Sequence, residues 1–245
     1  MQQVLVERRE RVLVITLNRP EQRNSLDNAT TDALADALVT LGSDPDLACG
    51  VLTGAGKGFC AGLDLAALKA EGPPRQLRHV LRERSPKPLV CAIEGFALAG
   101  GFELALMSDI IVAAAGATMA LPETSRGLMP TGGAIFRLPQ RLALEMLLTS
   151  EALTAEDLHR HGVVARVVAP GEALPTALAL AQRIAANGPL GIKHGRDLVY
   201  EAGEHTEAEM WERQWAARNL VFESNDAKEG ATAFLEKRAP RWTGT

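Results

Sequence analysis

The segment Pro88–Arg126 reads PLVCAIEGFALAGGFELALMSDIIVAAAGATMALPETSR, and the rest of the chain is interpreted around it. Its pattern predicts a buried strand, a glycine turn at the start of a helix, a second strand and a loop. Two of its few carboxylates, Glu103 and Glu123, lie at the turning points, beside a glycine pair and a proline. Because a desolvated charge needs a partner or a chemical role, we predict that both face one pocket and act in acid–base chemistry.

Composition and charge limit the class of protein. The chain has 245 residues, 47% hydrophobic and 23% charged, which predicts one large globular domain or a domain with a small appendage. A net charge of −4 argues against nucleic acid or a membrane surface as partner. The longest apolar run, Ile110–Leu121, is too short to cross a bilayer, and the start of the chain lacks a signal-peptide core. Three cysteines without CxxC spacing suggest reduced thiols, so we expect a cytoplasmic protein.

Strand and helix patterns alternate over most of the chain. The segments that read as strands are Val4–Val6, Val12–Leu17, Cys49–Thr53, Leu89–Ile93, Ile110–Ala113, Thr118–Leu121 and Val163–Val168. Helices are predicted from Asp27 or Asn28 onward and over 100–107, 142–150 and 154–161. This alternation favours an α/β fold with largely parallel strands. Only helical patterns follow Leu174, so we expect a core over 1–186 and a helical C-terminal region over 187–245.

A glycine-rich loop, GAGKGFCAGLDL at 54–65, follows one predicted strand. A dinucleotide-binding GxGxxG pattern would need glycine at position 59, which is Phe59, and the P-loop pattern fails too. The glycines instead permit close approach of a ligand to backbone amides. A plain strand-to-helix connection explains the loop equally well.

Two backbone amides near these glycines are candidates for binding an oxyanion. Gly100 begins a predicted helix, where N–H groups lack helical acceptors, and Leu63 lies just before another. If both amides converge on one carbonyl oxygen, they would stabilise negative charge there. The two carboxylates also have structural explanations, in place of a role in acid–base chemistry. Glu103 would be favourably placed at a helix N-terminus, and Glu123 would be a loop residue that pairs with Arg126.

Other reactive side chains are better explained by structure. Cys60 has no nearby histidine to activate it, so we expect it to pack in the core. Asp109 is expected to bond to backbone. Trp211 and Trp215, four residues apart, are expected to pack between helices or at an interface. The histidines have no metal-ligand spacing, so no metal site is predicted.

Several long motifs, in order, resemble the crotonase superfamily, the enoyl-CoA hydratase/isomerase family. They are LNRPEQRNSL, GAGKGFCAGLDL, KPLVCAIEGFALAGGFELALMSD, ALPETSRGLMPTGGAIFRLP, NGPLGIK and SNDAKEGATAFLEKRAPRW. The resemblance covers nearly the whole chain. It implies a crotonase-like ββα spiral core with a helical C-terminal trimerisation region, and self-association as a trimer or hexamer. It also implies an acyl-CoA thioester as substrate, with no metal or redox cofactor.

The resemblance also implies roles for individual residues. The thioester oxygen would be held by the amides of Leu63 and Gly100. Hydratases of the family carry glutamates at both positions matched by Glu103 and Glu123, which favours hydration of a 2-enoyl-CoA, a reaction of fatty acid metabolism. Glu103 would act as base toward water and Glu123 as proton donor to C2, although these roles can be shared or reversed. The substrate-binding residues implied are Arg23, Ser25, Ala61, Asp64, Leu65, Pro122 and Gly127.

Other activities within the resemblance remain open. FELALMSD followed by ALPE also resembles the carnitinyl-CoA dehydratase branch, and 3,2-enoyl-CoA isomerases and non-catalytic acyl-CoA binders share the same motifs. An RNA-associated member is disfavoured by both glutamates and by the acidic balance. Ala99 stands where the family often has a third glycine, and its methyl group would narrow the acyl pocket. We expect acyl specificity to lie in residues 66–88.

Overall fold

The chain divides into two compact units in a computed structural model that describes residues 2–245. The first unit extends to Gln182, and the second comprises Arg183–Thr245. The sheets lie in the first unit, and the second is helical.

The first unit contains the strands and most of the short helices. Its strands are β1 Val4–Arg9, β2 Val12–Leu17, β3 Cys49–Gly54, β4 Leu89–Ile93, β5 Phe96–Leu98, β6 Ile110–Ala114, β7 Thr118–Ala120, β8 Leu153–Thr154 and β9 Arg166–Val168. Its α-helices are α1 Asn28–Ser43, α2 Leu65–Glu71, α3 Leu77–Arg82, α4 Gly100–Ala105, α5 Ala134–Arg137, α6 Gln140–Thr149 and α7 Ala155–Arg160. Two 3₁₀ turns span Pro20–Gln22 and Pro122–Arg126.

Four further helices complete the chain. They are α8 Ala173–Ala185, α9 Pro189–Glu201, α10 Glu207–Phe222 and α11 Asn225–Glu236. Helix α10 begins after Thr206, which forms a capping box with Glu209. Among residues 2–245, no helix has the length and apolar character needed to cross a bilayer.

The large sheet has six strands in the order β1-β2-β3-β4-β6-β9. Strands β1 and β2 form an antiparallel hairpin, and every other neighbouring pair is parallel. The core includes Ile15, Leu52 and Ile93, all with 0% exposure. The predicted α/β class with largely parallel pairing is therefore confirmed.

A second sheet has three strands in the order β5-β7-β8, and the sequence pattern predicts only one of them. The pattern predicts β7 but neither β5 nor β8, which have only three and two residues. Strand β5 pairs in parallel with β7, and beyond the paired strands the Ala99 N–H donates to the Ala120 carbonyl at 2.9 Å. This pairing brings the chain after Ala120 next to the start of α4.

Several local predictions are confirmed. Asp27 caps α1 by accepting from the Thr30 amide, and the helix predicted over 154–161 begins at Thr154, which forms a capping box with Asp157. Asp109 accepts from the Leu89 amide at 2.7 Å and so bonds to backbone. Cys60 is fully buried, and burial raises the pKa of its thiol to about 12, so it packs as a neutral side chain.

Ala99, between β5 and α4, has a strained backbone. Its φ of 51° and ψ of −130° lie outside the regions that residues with a Cβ ordinarily adopt. Its methyl lies 2.9 Å from the point that a Cβ on Gly62 would occupy, so it packs against the backbone of the 54–65 loop. A glycine would adopt this conformation without the steric cost.

We therefore expect Ala99→Gly to increase the free energy of unfolding by about 1 kcal/mol, the relief of strain exceeding the added entropy of the unfolded chain. Denaturant unfolding measures this change. The matched control is Ala97→Gly, two residues earlier in β5, where φ is not positive. It should lower stability by about 1–2 kcal/mol, through a lost buried methyl and a more flexible strand. Similar losses in both variants would contradict the strain at Ala99.

Candidate active site

Two backbone segments, 60–63 and 97–101, lie unusually close together. The Leu98 N–H donates to the Cys60 carbonyl at 2.9 Å, and an isolated bridge pairs Cys60 with Ala97. A Cβ on Gly101 would stand 2.4 Å from the Cys60 carbonyl oxygen, and one on Gly62 would stand 2.9 Å from the Leu98 carbonyl oxygen. Since real Cβ contacts are not this short, glycine at 62 and 101 is a steric requirement of this contact.

The amides of Leu63 and Gly100 are neighbours across this contact. Gly100 is the first residue of α4, so its N–H has no helical acceptor. Leu26 bonds to Gly62 and Asp64 on either side of Leu63 and leaves the Leu63 N–H unused. Within residues 2–245, neither amide donates a hydrogen bond to another protein group. A Cβ on Gly100 would lie 4.0 Å from the Leu63 nitrogen, and one on Gly62 would lie 3.2 Å from the Gly100 nitrogen, so the two amides belong to the same small region.

Glu103 lies in the first turn of α4 and is 3% exposed. Its Oε1 accepts from the amides of Gly132 at 2.6 Å and Ala134 at 3.3 Å. Burial raises the pKa of Glu103, while the amides of Ala134, Gly132 and Thr131 and the Arg137 guanidinium oppose that rise. The net result is a raised pKa for a carboxyl whose orientation is held by backbone donors.

The loop that holds Glu103 lies within the motif ALPETSRGLMPTGGAIFRLP, but none of its residues was predicted as a site residue. Its glycine pair at 132–133 precedes a helix, as the pair at 100–101 does. A Cβ on Gly132 would meet the Leu81 Cδ1 at 2.6 Å and the Glu103 Oε2 at 2.8 Å. Arg137 donates from Nη1 to the Gly132 carbonyl and from Nη2 to the Leu81 carbonyl. The loop is therefore packed between Glu103 and the end of α3.

Glu123 is the second residue of the 3₁₀ turn Pro122–Arg126, which follows β7, and it is partly buried. Its Oε2 is buried and makes no hydrogen bond within the described chain. Burial, with a smaller contribution from the charge of Glu103, raises the pKa of Glu123 to about 7, against the opposing effects of its own backbone amide and Arg126. Arg126 donates to the Pro122 carbonyl at 3.0 Å, whereas the Glu123 Oε2 stays unpaired. The two carboxyls thus interact electrostatically, and Glu123 is partly protonated near neutral pH.

Five of the predicted substrate-binding residues lie together at the 54–65 loop. The Ala61 N–H donates to the Arg23 carbonyl at 3.0 Å, and Ser25 is buried, with its Oγ 3.4 Å from the Asp64 Oδ2. Asp64 caps α2 by accepting from the amides of Ala66 and Ala67, and the bond from Ala67 is the largest of the causes that lower the pKa of Asp64. Leu65, the first residue of α2, is 54% exposed.

The other two predicted residues flank Glu123. Pro122 is the first residue of its turn, and Gly127 ends that turn in the left-handed region with φ 70°. They form a separate group from the residues at the 54–65 loop.

Arg19 organises the first group and was missed by the sequence analysis. Its guanidinium bridges Asp27 at 3.1 Å and Asp64 at 3.0 Å and also donates to the Ser25 carbonyl at 2.6 Å. The charged fork of arginine suits such multiple contacts. The only sequence signal was its place in the LNRP motif.

The raised pKa of Glu123 predicts a pH-dependent cost to folding. The folded state holds a proton that the unfolded state releases between the ordinary value of 4.5 and about 7, so stability falls as the pH rises through this window. Glu123→Gln should therefore increase the free energy of unfolding by about 1–3 kcal/mol at about pH 8 and change it little at about pH 4. Urea unfolding at both pH values checks this.

The control for that experiment is Glu151→Gln, at an exposed position. Its effect should be small and the same at both pH values. A stabilisation by Glu123→Gln that does not depend on pH would show that desolvation of the charged carboxylate is not its cause.

Comparisons with known proteins agree with this geometry. Residues 7–245 match the enoyl-CoA hydratase/isomerase family. The chain is 39% identical to enoyl-CoA hydratase EchA19 of Mycobacterium tuberculosis, over 97% of this chain and 95% of that protein. It is 38% identical to carnitinyl-CoA dehydratase of Salmonella typhi, over 95% of each. The crystal structure of enoyl-CoA hydratase EchA1 from Mycobacterium marinum superposes with a TM-score of 0.93, at 45% identity over 100% of both chains.

These matches confirm the crotonase-like α/β fold with its helical C-terminal region. The chain belongs to the enoyl-CoA hydratase/isomerase family of the crotonase superfamily.

Proposed function

We propose that this protein is an enoyl-CoA hydratase that adds water reversibly across the double bond of a 2-enoyl-CoA. The observation that carries the proposal is the electrostatic coupling of two carboxyls with raised pKa, Glu103 and Glu123. Perturbed, interacting carboxyls are typical of acid–base sites. Family membership and the similarity to named hydratases support the same reaction.

In this proposal the Leu63 and Gly100 amides form an oxyanion hole for the thioester oxygen. Negative charge builds on that oxygen as water adds at C3, and two preorganised donors stabilise it more than they stabilise the neutral thioester. Each donor of this kind lowers the activation barrier by about 3–4 kcal/mol in other enzymes. Neither amide donates a hydrogen bond to a protein group within residues 2–245, which supports this role.

Glu103 and Glu123 divide the proton transfers. Glu103 takes a proton from water as the water oxygen bonds to C3, and Glu123 gives a proton to C2, so the electron pair of the double bond ends in the new C2–H bond. Glu123, with a pKa of about 7 and an unpaired Oε2, is suited to donate that proton. The backbone donors on Glu103 favour its charged form and so suit it to act as the base.

The coenzyme A part of the substrate would lie along the 54–65 loop. We assign substrate binding to Arg23, Ser25, Ala61, Asp64 and Leu65 there, and to Pro122 and Gly127 beside Glu123. The shared hydrogen bonds of the first group support its acting as one surface. Coenzyme A is then part of the substrate, and we propose that no metal or redox cofactor takes part, since the amides and carboxyls supply every step.

A dehydratase that removes water from a hydroxylated acyl-CoA is the second candidate. The 38% identity to a carnitinyl-CoA dehydratase favours it. The same groups serve both directions by microscopic reversibility, so the two candidates differ in the acyl group and not in the mechanism. Ala99 and the residues over 66–88 are where we propose that the acyl group is selected.

We further propose a cytoplasmic location and a division into a spiral core over 1–186 and a helical region over 187–245. The three cysteines are buried and form no disulfide among residues 2–245, as in a protein kept reduced. Helix α8 ends at Ala185, just before the proposed boundary.

Self-association through the helical region is also proposed. Large apolar side chains of α10 and α11 are exposed: Trp211, Trp215, Leu220, Phe222, Phe234 and Leu235. Exposed apolar surface of this extent marks a contact with another chain. Arg218 stacks on Trp215 and Phe222 and leaves them accessible.

Sedimentation equilibrium should therefore give a trimeric or hexameric mass at micromolar concentration. Replacing Trp211 and Trp215 together with lysine should reduce the mass, because charge would be buried at the contact. Glu212→Lys, a charge change on the same helix, is the control. A monomeric mass for the unaltered protein would refute the assembly.

Turnover of a panel of acyl-CoA thioesters, starting with crotonyl-CoA, tests the function itself. The expected product is the 3-hydroxyacyl-CoA; in D₂O, an isomerase would give a shifted double bond and no hydroxyl group. Glu103→Gln and Glu123→Gln should each lower kcat on the order of 10²–10⁴-fold, because a general acid or base is lost. Glu151→Gln should leave kcat unchanged, and thermal unfolding checks that each variant is folded.

Full activity in Glu123→Gln would end the two-carboxylate mechanism. Tight binding of acyl-CoA with no turnover of any thioester would indicate a non-catalytic binder.

A further inference from the structure

Arg137, at the end of α5, donates to carbonyl groups from two separate parts of the first unit: Gly132 in one, and Leu81 with a longer 3.4 Å bond to Arg82 in the other. Its Nη1 donates to the Gly132 carbonyl at 3.0 Å, and its Nη2 donates to the Leu81 carbonyl at 2.8 Å. The side chain is half-buried, so these charge-assisted bonds are partly shielded from water. One guanidinium thus links the end of α3 to the loop before α5.

This link lies directly behind Glu103. The Gly132 N–H donates to the Glu103 Oε1 at 2.6 Å, and the Gly132 carbonyl accepts from Arg137. The Leu81 side chain and the Glu103 Oε2 both border the point where a Cβ on Gly132 would be. Any shift of α3 against this loop would therefore move the donors that orient the Glu103 carboxylate.

We propose that Arg137 is a positioning residue for the hydration reaction: it clamps α3 to the loop over 131–134 and so holds Glu103 in the orientation that activates water. This inference rests on the proposed function, in which Glu103 is the base. Arg137 acts through Gly132 and Leu81. Because α3 lies within residues 66–88, the clamp also couples the segment proposed to select the acyl group to the base.

Electrostatics gives Arg137 a second effect on the same carboxyl. The charged groups that act on each other here are Glu103, Arg137 on α5, Glu123 and Arg126. The charge of Glu103 raises the pKa of Glu123, and Arg126 opposes that rise. The guanidinium lowers the pKa of Glu103 against the effect of burial. Removing its charge should raise that pKa and leave less of the base ionised at a given pH.

The test compares Arg137→Gln, Arg137→Lys and the control Arg141→Gln, which removes a charge from an exposed position on α6. Arg137→Gln should lower kcat on crotonyl-CoA about 10–100-fold with a smaller change in KM, because a misplaced base slows the chemical step. The acid limb of the kcat/KM profile should move to higher pH, since the free enzyme's base then has a raised pKa. Arg137→Lys keeps the charge without the two-pronged geometry, so kcat should fall while the acid limb stays near that of the unaltered protein.

Opposite outcomes overturn the proposal. One is that kcat in both Arg137 variants stays within about twofold of that of the unaltered protein. The other is that Arg137→Gln lowers the melting temperature but leaves the acid limb of its pH profile unchanged. An equal shift of the acid limb in Arg141→Gln would assign the effect to net charge alone. If Arg137→Gln fails to fold, Arg137→Lys decides, because unaltered kcat there would exclude a need for the clamp.

A readout without turnover separates this inference from the proposed function. NMR of ¹³C-labelled glutamate, in a Glu123→Gln background, follows the titration of the Glu103 carboxyl. Its pKa should be higher with Arg137→Gln than without it. If no thioester is hydrated but this shift is present, the proposed function fails and the link between Arg137 and Glu103 stands. An unchanged titration contradicts that link whatever the activity.

Discussion

The close backbone contact between residues 60–63 and 97–101 is the constraint on which the rest of the site depends. It exists because Gly62 and Gly101 leave no Cβ to separate the segments, which are then joined by the Leu98 to Cys60 hydrogen bond. Bonds to Leu26 on either side of Leu63 leave the Leu63 amide unused beside the start of α4. From the other side, the Ala99 to Ala120 bond brings the Glu123 turn to the same place. A side chain at either glycine would disturb all of these positions together.

The two carboxyls at this place differ in how their burial is compensated. Backbone amides satisfy Glu103, whereas the Glu123 Oε2 is buried with no hydrogen-bond partner in the described chain. A buried carboxylate without hydrogen bonds is less stable in its charged form than a buried carboxylate that accepts them. The asymmetry separates a group suited to remain ionised from one that holds a proton near neutral pH. Ala99, whose backbone is strained, directly precedes the helix that carries Glu103, and strained residues often cluster at functional sites.

Much of the fold could be predicted, because periodicity, capping residues and glycine turns act over short stretches of chain. Helix α1 begins at its Asp27 cap and α7 at its Thr154 capping box, as the local pattern indicates. Strands β5 and β8 could not be found this way, since such short strands carry almost no periodicity and depend on distant partners. The role of Arg19 could not be predicted for the same reason, because its partners Asp27 and Asp64 are far apart in sequence.

By itself, the sequence determined the α/β class, the family through its ordered motifs, and the two glutamates as the groups to examine. These features reside in residue types and local spacing. Only the tertiary structure decided that Glu123 lacks a partner for one oxygen and interacts with Glu103, and that Gly132 and Arg137 support Glu103 from behind. Such properties depend on burial and on contacts between segments remote in sequence, and a carboxyl's protonation follows from that environment.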